Sequence, residues 1–421
     1  MLTSSQSNQA KHQDIQISSE RLWASLEELA QIGATPKGGV CRLAYSKEDQ
    51  SGRALFMDWC ADLGMTFSTD EIGNLFAYLE GQDPSLPSIM MGSHLDSQPT
   101  GGKYDGTYGV LSCVEVLRQL RDDGIVLQNS VEIVCWANEE GSRFSPALMG
   151  SSVFAGILPL ADMLATQDND GITVAHCLEA DETWKKLPKR PERNTKAYLE
   201  IHIEQGPILE AEDTPIGIVK GVQAIKWYDV TVIGEETHAG PPPMHYRRDA
   251  LMGAAEVALA FEAIAKQFSP DGRGMVGTLS ISPGSRNVVP GQVKFTADFR
   301  HPQDSQLAAM DTALRATVND IAERRKIRIE VSEFWDSPAV PFDPRLQSIW
   351  REKADEAKIP HMDIVSGAGH DAVPMAKLVP TGMLFIPCKD GKSHNEEESI
   401  TPEQAAVGCT LLYDAVKHLA T

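Results

Sequence analysis

Several things are scarce or missing in this 421-residue sequence, and each absence removes a class of function. No run approaches the ~18 uncharged apolar residues that a membrane span needs. Met1 to Ser19 is polar without an apolar centre, so it does not read as a secretory signal, and a disordered leader over 1–18 is expected. Positive charge is short: 38 Lys and Arg against 59 Asp and Glu leave a net charge of -21. That balance argues against nucleic acid or an anionic membrane as partner. The seven cysteines (Cys41, Cys60, Cys113, Cys135, Cys177, Cys388 and Cys409) form an odd set without a CxxC pair. They fit a reducing cytoplasm better than a disulfide framework or a structural zinc module. H-E-x-x-H, G-x-S-x-G and the Walker A loop are all missing. Histidines and carboxylates remain as the carriers of any chemistry.

What is present is a soluble globular composition, 42% hydrophobic and 23% charged, on a chain too long for one core. Leu22, Leu26 and Leu29 at helical spacing, stopped by Gly33, predict a helix over 19–32. Strand-like runs at 74–79, 88–92, 131–137 and 197–203 alternate with helical patterns at 110–121 and 151–155. This predicts an α/β domain with a mainly parallel sheet covered on both faces. From about Gly221 the order becomes β-α-β-β-α-β, with strands at 227–233, 275–282, 292–300 and 327–331 and helices at 250–268 and 305–325. That is the order of a ferredoxin-like α+β unit. The expected organisation is therefore a catalytic domain in two parts, 19–220 and 336–421, with a small domain, 221–335, inserted between them. A final helix from Pro402 to Leu419 is announced by Thr401, Pro402 and Gln404, a capping box.

The polar residues that matter sit just past apolar strands, where open α/β sheets place ligand sites. His94 follows Ser88–Met91, with Asp96 two residues on and Asp105 in a glycine-rich turn. Imidazole and carboxylate are good ligands for zinc or manganese, and the Asp96 carboxylate is expected to fix the tautomer of His94. Glu139 and Glu140 follow strand 131–137; two adjacent carboxylates repel unless a cation lies between them, and one can then act as general base. Alternation along 198–204 puts Glu200, His202 and Glu204 on one face and Leu199, Ile201 and Ile203 on the other. A surface salt-bridge ladder would give the same pattern. His394 follows the strand at 383–387. Four sites at strand ends fit a dinuclear centre with Asp105 as bridge and the ions about 3.5–4 Å apart. One competitor exists: Gly367-Ala368-Gly369-His370-Asp371-Ala372 has the G-x-G-x-x-A form of a dinucleotide fingerprint, which would make the chain an NAD-dependent dehydrogenase.

Together the motifs resemble the N-carbamoyl-amino-acid amidohydrolases, a family that includes β-ureidopropionase and allantoate amidohydrolase within the dinuclear-metal exopeptidase superfamily. The resemblance runs from about Leu22 to the C-terminus. It is carried by GSHLDSQPTGGKYDG at 92–106, ANEEGSRF at 137–144, HIEQGP at 202–207 and HAGPPPMHYRRDA at 238–250. NVVPG at 287–291, DFRH at 298–301, SGAGHDA at 366–372 and SHNEEES at 393–399 complete it.

The resemblance implies two divalent metal ions, zinc or manganese, with cobalt or nickel compatible. Its ligands would be His94, Asp105, Glu140, His202 and His394, with His94 and His202 on one ion and Glu140 and His394 on the other. Glu139 would be the general base, assisted by Asp96 and His238. Gln205, His238, Asn287, Arg300 and Gly369 would bind substrate. A homodimer is also implied, in which His238, Asn287 and Arg300 complete the partner subunit's site. The residues themselves support Arg300 as a clamp for a carboxylate, with a salt bridge to Asp298 as the alternative. His238 could donate to an oxyanion, and Asn287 could equally be a turn residue. The expected reaction is hydrolysis of the ureido C–N bond of an N-carbamoyl amino acid. N-carbamoyl-β-alanine, allantoate and dipeptides are the alternative substrates, and a non-catalytic relative is the alternative of a different kind.

Overall fold

The computed structural model describes residues 17–421. The expected leader lies outside the described residues up to position 16. Its last two residues belong to the fold: Ile17 is buried, and the Ser18 side chain caps the first helix by accepting the Arg21 N–H. Two compact units are formed, one running to Lys220 and resuming at Phe342–Thr421, the other comprising Gly221–Pro341.

The first unit is built on a mixed sheet. Its centre is parallel, in the spatial order Val131–Trp136, Ser88–His94, Thr195–Ile203 and Thr381–Ile386. Strands Val131–Trp136, Ser88–His94 and Thr381–Ile386 are buried at every residue, which is why they read as continuous apolar runs rather than alternating ones. Antiparallel strands flank this centre: Leu75–Leu79 and Thr66–Thr69 on one side, Ile216–Val222 on the other. Leu199, Ile201 and Ile203 point into a core shared with helices Ser19–Leu29, Thr107–Asp122, Pro344–Glu356 and Pro402–Ala420. Period-2 alternation then turns Glu200 and His202 to the opposite face. The last helix starts as its sequence announces: Thr401 Oγ1 accepts the Gln404 N–H, and Gln404 Oε1 accepts the Thr401 N–H.

The second unit is a four-stranded antiparallel sheet in the spatial order Arg328–Ser337, Ala224–Ile233, Gln292–His301 and Arg273–Ser282. That is the fourth, first, third and second strand of this sheet in chain order, the ferredoxin-like arrangement. Helices Ala250–Gln267 and Asp304–Arg325 share its core with Tyr228, Val230, Val232, Val293, Phe295 and Phe299. Among the described residues no helix is long and apolar enough to cross a membrane.

Two elements escape the periodicity argument. Helix Lys47–Ala61 buries Asp49 and Gly52 along with Phe56 and Trp59, so its inner face carries no clean apolar stripe. Strand Ile216–Val222 is buried on both faces except at Lys220 and so shows no alternation.

Candidate metal centre

Because the four central strands are parallel, their C-terminal ends lie along one edge of the sheet, and this edge collects the site. His94 ends its strand opposite Trp136, and His202 lies opposite Phe385. Glu139 and Glu140 follow the next strand, and His394 lies in the loop after Thr381–Ile386. Asp105 occupies the turn before helix Thr107–Asp122. Gly106 must follow it: its φ is +66°, and a Cβ there would come within 2.4 Å of the His94 ring.

These side chains form two donor clusters that share Asp105: His94, Asp105 and His202, and Asp105, Glu140 and His394. Asp105 Oδ1 lies 3.1 Å from His202 Nε2 and 3.6 Å from His94 Nε2. Its other oxygen, Oδ2, lies 3.4 Å from His394 Nε2, which is in turn 3.2 Å from Glu140 Oε2. Imidazole nitrogens with carboxylate oxygens suit a divalent first-row metal. Glu139 Oε2 lies 3.5 Å from His94 Nε2, beside the first cluster.

The tautomers of both buried histidines are settled by carbonyls, which can only accept. His94 Nδ1 donates to the Asp96 main-chain oxygen at 2.9 Å, and His202 Nδ1 to the Ile203 oxygen at 2.9 Å. When the rings are neutral, each Nε2 is the unprotonated nitrogen and faces Asp105, and that of His202 lies 3.1 Å from the Gly106 main-chain nitrogen. The expected role of Asp96 is corrected here. Its carboxylate is 3.8 Å from His94 Nδ1 and instead accepts the main-chain N–H groups of Glu139 and Glu140, at 3.2 Å each. Asp96 thus orients His94 through its backbone and the Glu139–Glu140 turn through its side chain.

The electrostatics are those of a buried acidic site. Burial disfavours charge on His94 and His202, but facing carboxylates, chiefly Glu139 and Asp105, outweigh it and hold both above the usual imidazole range. His394, hydrogen-bonded to Asp105 and Glu140, is raised to about 10. Asp105 is held well below the carboxylate range because its hydrogen bonds to the three histidines overcome burial. Glu139 moves the other way: burial, with the charges of Asp371, Glu140 and Asp105, raises it well above its ordinary value. Glu200 and His202 are each 1% exposed, so the salt-bridge ladder allowed by the sequence is not formed.

The remaining expected site residues are distributed unevenly. Gln205, at φ 57°, donates to Asp105 Oδ2 at 2.9 Å, so it restrains that carboxylate directly. Gly369 lies in the exposed loop after strand His361–Ser366. The other three belong to the second unit. His238 and Asn287 are brought together by a short ladder in which Val288 pairs with His238. His238 Nδ1 accepts the Gly240 N–H, which leaves its proton on Nε2 when the ring is neutral. Arg300 Nε donates to Asp298 at 2.9 Å, the pairing that the sequence allowed as the alternative.

Sequence reasoning missed an inner polar layer. Glu200 accepts from Ser93, Tyr198 and the Ala372 N–H. Asp371 accepts from Ser151 at 2.5 Å, and the His370 ring packs 4.6 Å from that of His202. His370 and Asp371 belong to the segment that matched a dinucleotide fingerprint. The helix after it, Ala372–Met375, is a single turn, and both polar side chains are buried beside the metal cluster. The segment serves this centre, and the fingerprint is a coincidence of glycines. Glu398 was not singled out either, although it lies within the SHNEEES motif at 393–399.

Known proteins of similar sequence include amidohydrolases. Residues 90–418 match peptidase family M20/M25/M40. An N-carbamoyl-L-amino-acid amidohydrolase from Rhizobium meliloti is 40% identical over 404 residues, covering 96% of this chain and 97% of its own. Allantoate amidohydrolase from Bacillus subtilis is 33% identical, over 94% of this chain and 96% of its own. A crystal structure of an amidase of the hydantoinase/carbamoylase family from Burkholderia multivorans superposes with a TM-score of 0.92. It is 46% identical and covers 96% of this chain and 98% of that one.

Proposed function

The chain belongs to peptidase family M20/M25/M40, and from that premise we propose that it hydrolyses the ureido C–N bond of N-carbamoyl amino acids. The observation that carries this reading is Asp105, which faces a separate donor cluster with each of its oxygens while Glu139 stands beside the first. We assign two divalent ions to these clusters, one on His94, Asp105 and His202, the other on Asp105, Glu140 and His394. Zinc or manganese is the preferred identity, with cobalt and nickel compatible with the same donors.

When bound, such ions polarise the carbamoyl oxygen and lower the pKa of the attacking water. Glu139 takes the proton of that water and returns it to the leaving nitrogen. Burial raises Glu139, and positive charge at the neighbouring clusters acts against that rise, which is the condition for a base near neutral pH. The Asp96 carboxylate keeps the Glu139 backbone in place, and Gln205 keeps Asp105 in place. Cleavage yields the amino acid and a carbamate that breaks down to ammonia and carbon dioxide.

In the second unit, Arg300 is proposed to hold the substrate carboxylate, with His238 donating from Nε2 to the developing oxyanion and Asn287 as a further polar contact. Gly369 is proposed to lie against substrate. A homodimer whose subunits complete one another's sites and a cytoplasmic location are part of the same proposal, the latter on the odd cysteine set without CxxC. The test is ammonia release from N-carbamoyl-L-amino acids, N-carbamoyl-β-alanine and allantoate, and amino-acid release from a dipeptide, each after metal removal and add-back. Turnover of the N-carbamoyl-L-amino acids ahead of the other three is expected. Preference for any of those three would replace the proposed substrate, and turnover indifferent to chelation would remove the metal centre.

A further inference from the structure

The loop that carries Asp105 and the loop that carries His394 are far apart in sequence and are tied together by one buried carboxylate. Glu398 is 5% exposed. Its Oε1 accepts the main-chain N–H groups of Tyr104 at 2.8 Å and Asp105 at 3.0 Å, in the turn just before helix Thr107–Asp122. Its Oε2 lies 3.0 Å from Ser393 Oγ, and that hydroxyl is also 3.0 Å from Asp105 Oδ2. Gln205 Nε2 reaches both Ser393 Oγ, at 3.0 Å, and Asp105 Oδ2. The carboxylate fits so closely that a Cβ on Gly102 would come within 2.1 Å of it.

We propose that Glu398 and Ser393 are positioning residues that set where Asp105 Oδ2 points, and so fix the spacing between the two donor clusters. The inference rests on the metal-centre reading and adds to it residues that donate to no ion. The physical case is geometric. Asp105 has to present two oxygens in different directions, and a carboxylate turns freely about its last bond unless neighbours hold it. On the Oδ2 side Gln205 donates and the single proton of Ser393 is shared between Asp105 Oδ2 and Glu398 Oε2, while Glu398 also accepts from the main chain of Asp105 itself. One strut thereby connects the backbone of the shared ligand to the residue preceding His394. A purely structural role for Glu398, stapling a loop to a helix start, accounts for the two N–H contacts but not for the convergence of Ser393 on Oδ2.

The experiment uses the full chain stripped of metal, with Zn2+ as probe in competition against a chromophoric chelator, and the melting temperature of the metal-free protein as a second readout. Glu398→Ala and Ser393→Ala are each expected to weaken Zn2+ affinity about 10–100-fold, the range typical of groups that orient metal ligands. Glu398→Gln keeps an acceptor for the two N–H groups and turns a donor toward Ser393, so it is expected to restore affinity close to the unsubstituted protein. If Glu398→Ala fails to fold, Ser393→Ala carries the test, since it removes only the link and leaves the buried clamp.

Unchanged affinity in Ser393→Ala, or in a folded Glu398→Ala whose metal-free melting temperature has dropped, overturns the inference in favour of a loop staple. Glu398→Gln binding as weakly as Glu398→Ala overturns it as well. Should the unsubstituted protein bind no Zn2+, the metal centre itself is misread and the inference falls with it, an outcome distinct from equal binding by all variants.

Discussion

His94 Nδ1 lies 2.9 Å from the main-chain carbonyl of Asp96 and 3.8 Å from its carboxylate. The imidazole is therefore oriented by a group that no side-chain substitution removes, and the Asp96 side chain is free to hold something else. It holds the Glu139–Glu140 turn through two N–H groups. An amide there offers one acceptor and one donor to two donors. Asp96→Asn is expected to lower kcat by about 10–100-fold through a displaced Glu139, with the His94 tautomer unchanged. Steady-state kinetics with NMR of the His94 ring in the metal-loaded protein, where the imidazole is neutral, checks both halves; loss of the Nδ1 proton in Asp96→Asn would return the orienting role to the carboxylate.

Glu139→Gln keeps size and hydrogen bonding but cannot accept a proton. Loss of about 10²–10⁴ in kcat with metal content retained is the expected outcome, measured by ammonia release alongside elemental analysis. Activity surviving with full metal content would show that the base lies elsewhere.

Metal uptake should release protons. In the metal-free protein His394 holds its proton up to about 10 because Asp105 and Glu140 face it. A ligand imidazole must be neutral, so each ion bound near neutral pH displaces protons, and apparent affinity rises with pH up to that value. Calorimetric titration in two buffers of different ionisation enthalpy reads the number released. Affinity independent of pH between 6 and 9 would contradict the assignment of His394 as a ligand.

Gly106→Ala combines a strained φ of +66° with a Cβ 2.4 Å from His94. Destabilisation of more than about 1 kcal/mol is expected, with weaker metal binding because His94 must move. Denaturant unfolding with and without added metal separates the two effects, and a variant as stable and as metal-avid as the unsubstituted protein would refute the close approach.

Arg300→Ala should raise KM for substrates with a free carboxylate by more than it lowers kcat, since a clamp made before and during the reaction contributes uniform binding. Amidating the carboxylate should impose the same penalty on the unsubstituted enzyme and little further on the variant. Equal KM values across all four combinations would remove Arg300 from the carboxylate clamp.

Much of the architecture was legible from local pattern. Parallel strands buried on both faces write themselves as apolar runs, the second unit shows the β-α-β-β-α-β order, and Thr401 with Gln404 marks a helix start. The chain alone also supplied the residue types of the candidate centre, because donors at the ends of parallel strands must follow apolar segments. Helix Lys47–Ala61 was not legible because it buries Asp49 against the Tyr45 N–H, and its Gly52 gives room to the Arg42 side chain, so the helical stripe is broken by tertiary need.

What the sequence by itself determined, then, was the set of elements and the inventory of donors. Only the tertiary structure decided which oxygen of Asp105 faces which histidine, that the Asp96 carbonyl rather than its carboxylate is within hydrogen-bond reach of His94, and that Glu398 lies against the Asp105 main chain. The reason is physical. Periodicity reports whether a side chain faces water or core, a local property of the strand or helix. A hydrogen bond such as Glu398 to Asp105 joins positions 293 apart, and nothing in either neighbourhood records it until the sheet brings the loops together.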